Sequence, residues 1–467
     1  MLKDVVKSDI ITYMFIRCML NNIYSFGRET EFNMIPAPRF SRLKGHKYQK
    51  PGIELLKMAS FYGANGAGKS NLIRALKFLQ TIVVSGELPS SMVLRRMKHF
   101  HSEEAAMVLA VEFISADVPY IYALEIGEQA VLKEELYISG LGTKEDTLVF
   151  ERRRGEGGKI ILKFFDSFTK TEEGRVLKGI LENNLIKQNK TSLKILSELD
   201  NPLLMDVNRA FEWFKSKLVI ITPNMKSGGL AHRLDIDKEF HQYAEEIMCT
   251  FSVGIKKLLT VKKPIGEFFG DDNKADMEKL LNKVAENPDR ALGLFDSTGE
   301  EFVVVEENGA VVVKQLKTEH TMKDGSPVMF DLSEESDGSI RLLDYLPAFK
   351  DLLTKDITYF IDEIERSIHP LLIKEIIRKF SADDSSKGQL VFTTHESNLL
   401  DQEIFRQDEI WFVEKDATGS TDLYSLCDFK EHNTKDIRKG YLSGRYGSIP
   451  FLSKLKDLNW DRYDFKK

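Results

Sequence analysis

The eight residues Gly63-Ala64-Asn65-Gly66-Ala67-Gly68-Lys69-Ser70 constrain this chain more than any other feature it has. They follow the apolar run Leu56 to Tyr62 and open an amphipathic stretch, so a strand, a glycine-rich turn and a helix come in immediate succession. That order begins a parallel α/β sheet. Glycines at 63, 66 and 68 let backbone N–H groups close around a β-phosphate, and the helix N-terminus adds its partial positive charge. Lys69 is spaced to reach the β- and γ-phosphates, and Ser70 to ligate Mg²⁺. Asn65 and Asn71 complete the expected nucleotide-binding set, which makes ATP and Mg²⁺ the implied cofactors.

Holding a triphosphate hydrolyses nothing until a water is activated. The run Ile357-Thr358-Tyr359-Phe360-Ile361 is an apolar strand ending in Asp362-Glu363. Asp362 is placed to hold Mg²⁺ through its water shell, and Glu363 to polarise the attacking water as general base. A further apolar strand, Leu390 to Thr393, leads to His395, which could bond a γ-phosphate oxygen at the carboxyl edge where ligands of such sheets collect. The fourth element, Glu335-Ser336-Asp337-Gly338-Ser339-Ile340-Arg341, precedes a helix. By itself it is a turn and an N-cap. Asp235-Ile236-Asp237 has the spacing of a metal-binding pair but follows a polar loop, and reads as solvated charge.

Composition narrows the function classes. Sixty-six Lys and Arg against 72 Asp and Glu give a net charge of -6, which argues against coating nucleic acid by bulk charge. Cys18, Cys249 and Cys427 are far apart, with no zinc or redox-dithiol spacing. No window approaches the roughly 18 to 20 apolar residues of a membrane span. The expected location is the cytoplasm, with no membrane partner.

The 467 residues suit one large nucleotide-binding head carrying an insertion. Residues ahead of Met14 read as an extension, Met14 to Leu20 and Glu29 to Met34 as two strands, and Pro36 to Pro51 as a solvated loop rich in Arg39, Arg42, Lys44, His46, Lys47 and Lys50. Ala105 to Ile114, Tyr120 to Ile126 and Val131 to Ile138, with a hairpin turned at Gly155 to Gly158, predict an antiparallel sheet. Helical spacing dominates from Asp166 to Pro223, with a return to strand at Val219 to Ile221, and again from Lys238. Phe302 to Val313 reads as a hairpin turned at Asn308 and Gly309. The expected organisation is an N-terminal lobe with the phosphate loop over 1–165, a mainly helical insertion over 166–296, and a C-terminal lobe over 297–467.

The strings YGANGAGKSNLIRAL, ESDGSIRLL, FIDEIERSIHP, FTTHESNLLD and YLSGRYGSIP together resemble ABC-type ATPases of the SMC and RecF group, an AAA-family relationship. More narrowly they resemble the RloA and AbiL-like ATPases of bacterial phage-defence loci. The resemblance implies an α/β head of ABC type: a mixed sheet with the phosphate loop, an antiparallel β-subdomain and a helical insertion. It implies that Ser336 and Gly338 form a signature loop that binds the γ-phosphate of ATP held by a second protomer. Glu365 to His369 would be the D-loop. A homodimer or higher oligomer closing on ATP follows, with a Toprim-like effector nuclease from the same operon as partner. The competing expectation is a RecF- or SMC-like DNA-repair or DNA-tethering ATPase, for which DNA is the partner. A transporter subunit fits poorly, because Asp337 stands where transporters carry glycine in the signature and because the helical insertion is large.

Overall fold

The computed structural model describes residues 12–449 apart from 41, 51, 102–105, 252–253, 271–272, 288–289, 297–298, 430 and 432–434. The extension expected ahead of Met14 falls largely outside the described residues. The chain makes two compact units: Met1–Pro223 with Leu352–Ile364 and Ile376–Lys467, and Asn224–Asp351 with Glu365–Glu375.

The first unit is built on a six-stranded sheet in the order Leu218–Ile221, Thr358–Ile361, Gln389–Thr393, Met58–Tyr62, Ile410–Lys415, Thr421–Ser425. Neighbours are parallel except the last pair. Met58–Tyr62, Thr358–Ile361 and Gln389–Thr393 are buried at every position. A parallel strand covered on both faces is mostly apolar along its length, and the polar positions here, Ser60, Thr358, Gln389 and Thr393, are buried with side-chain hydrogen bonds.

A seven-stranded antiparallel sheet accompanies it, ordered Ile160–Phe164, Thr147–Arg154, Val131–Ile138, Val118–Ile126, Met107–Ser115, Tyr13–Asn21, Thr30–Asn33. Its strands alternate buried and open positions, as in Val118–Ile126, the pattern of a sheet with one covered face. Phe15, Phe32, Phe61, Phe360 and Trp411 interlock the two sheets, with ring centroids 4.8 Å apart for Phe32 and Phe61 and 5.2 Å for Phe15 and Phe360. Gln389 adds a polar staple. Its amide accepts from Phe15 N–H at 2.7 Å and donates to Phe15 and Leu56 carbonyls.

Two expectations change here. Lys47–Lys50 is a strand paired with Ile53–Leu56, so Pro36 to Pro51 is not wholly loop. Its cations are partly engaged: His46 with buried Glu409, Lys47 with Glu54, Lys50 with Asp356. The helices after Asp166 are present, but Leu218–Ile221 pairs with Thr358–Ile361, so residues up to 223 belong to the first unit.

The second unit carries a five-stranded antiparallel sheet in which Ala310–Thr321 pairs with Lys257–Pro264, Glu301–Glu307 and Pro327–Asp331, and Leu292–Phe295 joins Glu301–Glu307. Residues 166–296 hold mostly helices, but Lys257–Pro264 and Leu292–Phe295 pair with strands beyond them, so the expected boundary at 296/297 cuts through one sheet. Physically, Lys257–Pro264 carries Leu258 and Leu259, then Lys262 and Lys263, on successive positions, so it lacks the apolar–polar alternation that marks a strand in sequence. Helices Leu230–Ile236, Lys238–Thr250 and Lys274–Glu286 complete the unit, and Ile265, Val284, Phe302, Val304 and Val313 form a core. Asp235 pairs with Lys262 and Lys314, while Asp237 caps the helix at Phe240 N–H. This pair is structural, and no group of three or more His, Cys, Asp or Glu among the described residues could hold a metal.

Candidate functional site

The loop between Met58–Tyr62 and helix Lys69–Ser85 is fixed from both ends. The helix buries Leu72, Ile73, Leu76, Phe78, Leu79, Ile82 and Val83, each contributing about 1.5–3 kcal/mol relative to exposure. Two of the loop's glycines have clear steric causes. A Cβ on Gly63 would lie 2.4 Å from the Val413 carbonyl, and Gly68, at φ 120°, would place one 2.2 Å from Thr421 Oγ1. Beneath the turn, Thr421 Oγ1 donates to the Ala67 carbonyl at 2.8 Å and lies 2.7 Å from Ser25 Oγ. Asn71 donates its side-chain amide to the same Ser25 Oγ at 2.8 Å, so this expected nucleotide-binding side chain is engaged in the buttress. Asn65 and Gly66 form the exposed crest.

The acidic strand and the loop strand are not adjacent. Gln389–Thr393 runs between them, and its last residue ties them together. Thr393 Oγ1 donates to Asp362 Oδ1 at 2.6 Å and accepts the Glu363 N–H at 2.8 Å. Ser70 Oγ donates to the same Asp362 oxygen at 3.0 Å. Asp362 is buried, and Glu363 holds φ 52°, a left-handed conformation that costs a non-glycine residue about 1 kcal/mol or more. Such strain concentrates where a side chain must be presented in one way.

Lys69, almost wholly buried, donates to the Gly63 carbonyl at 2.7 Å and the Ala64 carbonyl at 3.2 Å, and its Nζ lies 3.4 Å from His395 Nδ1. Burial first, then the Lys69 charge, lowers the His395 pKa, while Glu363 and Asp362 pull it up. The imidazole is thus held neutral at pH 7. Lys69, Ser70, Asp362, Glu363 and His395 converge at one carboxyl edge.

The residues present fit a magnesium nucleotide. Ser70 Oγ and the buried Asp362 carboxylate set two hard oxygen donors side by side, 3.0 Å apart, the donor chemistry magnesium takes. The glycine cradle, the helix N-terminus and Lys69 supply the complementary positive potential for phosphates.

Ser336 and Gly338 lie in the second unit. Ser336 is exposed and caps helix Asp337–Thr354, its Oγ accepting the Ser339 N–H at 3.1 Å. Gly338 sits against the Ser367 carbonyl, which a Cβ would meet at 2.8 Å. Ser367 belongs to the segment expected as the D-loop and holds φ 61°. Sequence reading missed Ser25, Thr393 and Thr421. Of these only Thr393 carried a signal, a hydroxyl closing an apolar strand two residues before His395.

The sheet order, the phosphate loop and the acidic strand end define an α/β ATPase domain. The chain belongs to the family described as "AAA domain, putative AbiEii toxin, Type IV TA system", whose model matches residues 58–401. No curated protein matches its sequence. Similar solved structures include the SMC head domain from Thermotoga maritima, at 13% identity and TM-score 0.35 over 88% of this chain and 98% of that one. An Smc head with an extended coiled coil, bound to the C-terminal domain of ScpA derived from Pyrococcus furiosus, gives 11% identity and TM-score 0.37 over 93% and 99%. The SmcHead bound to the C-winged helix domain of ScpA gives 12% and 0.37 over 88% and 97%. TM-scores this low say nothing about function. No helix among the described residues is long and apolar enough to cross a membrane.

Proposed function

We propose that this protein binds and hydrolyses Mg·ATP and that two copies close around the nucleotide. The observation that carries the proposal is the convergence of Lys69, Ser70, Asp362 and His395 on one edge of the sheet, with Ser70 and Asp362 already paired. When bound, magnesium supplies charge neutralisation at the β- and γ-phosphates. Ser70 and Asp362 would hold it. Lys69 would leave the Gly63 and Ala64 carbonyls for phosphate oxygens, Glu363 would take the proton of the attacking water, and neutral His395 would donate to a γ-phosphate oxygen.

Closure as a pair rests on Ser336, an exposed hydroxyl at a helix N-terminus that the subunit leaves facing solvent. Ser336 and Gly338 would meet the γ-phosphate held by the facing subunit. The D-loop contact of Gly338 with Ser367 would then join the trans-acting face to the chain that leads from Glu363.

The family's description as a type IV toxin–antitoxin component supports a role in bacterial antiphage defence, in which closure regulates a partner effector, a Toprim-like nuclease of the same operon. A cytoplasmic location fits that role. Copurification from the native operon tests it: a stoichiometric nuclease is the expected companion. Tight ATP-dependent duplex binding by the protein alone would replace this reading with a DNA-tethering ATPase.

A further inference from the structure

The signature element is held to the second unit's sheet by a side chain that neither the nucleotide nor the fold's apolar core requires. Glu335, immediately before Ser336, has a carboxylate only 5% exposed. Thr318 Oγ1 donates to its Oε1, and His320 Nε2 lies 2.6 Å from the same oxygen. Thr318 and His320 are two residues apart on strand Ala310–Thr321, so they stand on one face of it. Thr318 is fully buried, and the His320 ring packs on Phe330 with centroids 4.6 Å apart. On the same strand Lys317 pairs with Asp331, and Asp331 N–H donates to Glu334 Oε2 at 2.8 Å.

Residues 331–336 are thus anchored in three consecutive steps, of which the last is the Glu335 clasp. A carboxylate withdrawn from water is stable only while its donors reach it. Glu335 satisfies that condition in one position relative to Thr318 and His320, and Ser336 is the next residue along the chain. We infer that Thr318, His320 and Glu335 form a positioning group that sets the signature serine against the unit's central strand. The strand thereby decides whether Ser336 can meet a facing phosphate. The inference rests on the reading that Ser336 acts on nucleotide held by a second copy.

The experiment uses the full chain, with ATP-driven dimerisation followed by light scattering in the Glu363→Gln background and ATP affinity measured separately by titration with a fluorescent analogue. Thr318→Val and His320→Ala each remove one donor. Each should raise the ATP concentration for half-dimerisation roughly tenfold or more, leaving analogue affinity at the Lys69 loop unchanged. Thr318→Ser and His320→Gln keep a donor and should behave as the parent. Parental dimerisation by both donor-removing variants overturns the inference, as does equal loss in the donor-keeping variants. Should His320→Ala fail to fold, the Thr318→Val and Thr318→Ser pair reads the same clasp. Ser336→Arg is run alongside. If it blocks dimerisation while the clasp variants do not, only the clasp falls; if it also dimerises like the parent, the facing-serine reading falls and takes the clasp with it.

Discussion

Ser70 Oγ donates to Asp362 Oδ1 at 3.0 Å across 292 residues of sequence, and this contact joins the phosphate loop to the acidic strand although another strand separates them. The consequence is a pair of hard oxygens side by side, where Ser70 would ligate magnesium and Asp362 would hold its water shell. Ser70→Ala should therefore leave Mg-free nucleotide binding nearly intact and remove most of the gain in affinity that magnesium confers. Titration of a fluorescent nucleotide in magnesium and in chelator checks this. An unchanged magnesium gain would mean that Ser70 is no ligand.

Lys69 is the buried cation nearest the cradle's carbonyls. Replacing it with alanine strips a charge that the site has no means to replace, a loss of about 2–5 kcal/mol for a buried charged partner. Nucleotide binding should become undetectable at concentrations that saturate the parent.

Glu363→Gln should retain ATP and lower kcat by about 10²–10⁴, the usual contribution of a general base, and the closed dimer should accumulate. Phosphate release under saturating ATP reads this directly. Parental turnover would assign the base elsewhere.

The His395 pKa is lowered by burial first and by Lys69 second. The sign follows: the folded state resists protonation more than the unfolded chain, so this residue's contribution to stability is present above the ordinary imidazole pKa and is lost as pH falls through it toward the folded value. Lys69→Met removes one of the two lowering influences. NMR titration should show the His395 pKa rising in that variant, and a fall would contradict the assigned contact.

Gly63→Ala drives a methyl group to 2.4 Å from the Val413 carbonyl. Strand Met58–Tyr62 and strand Ile410–Lys415 must part, at about 1–3 kcal/mol for overpacking of this kind. Thermal denaturation should show the loss, together with weaker nucleotide binding. By contrast Gly66, at φ 77° with nothing within 4 Å of an added Cβ, should bear asparagine at a backbone cost of about 1 kcal/mol, because asparagine enters the left-handed region more readily than other residues.

Local spacing made the phosphate loop, the Asp362–Glu363 strand end and the His395 strand legible in the sequence, because strand, turn and helix alternate within a few residues of each. The antiparallel sheet was legible for the same reason, through its period-two alternation and turn glycines. What stayed hidden depends on contacts between distant residues. Thr421 and Ser25 meet under the loop across 396 positions, and neither lies in a motif. Lys257–Pro264 is a strand whose leucines and lysines fall on successive positions, so period two does not show in it and its place in the second unit's sheet stayed hidden. Gln389 opens an otherwise apolar strand, yet only the partner strand shows that its amide staples Phe15. For Ser336 the sequence supports an N-cap and a signature residue alike, and the cap observed at Ser339 N–H is compatible with both.

The claim on which the account turns is that each nucleotide is shared between two copies of the chain. Mixing two inactive variants tests it most directly: Lys69→Ala, which lacks a working cradle, and Ser336→Arg, which lacks a working facing serine. Neither should hydrolyse ATP alone. In the mixed dimer the intact cradle of one faces the intact serine of the other, and the blocked serine faces an empty cradle, so ATPase activity should return on mixing. Activity that stays absent in the mixture, with both proteins folded, or that is already present in Ser336→Arg alone, would contradict the account.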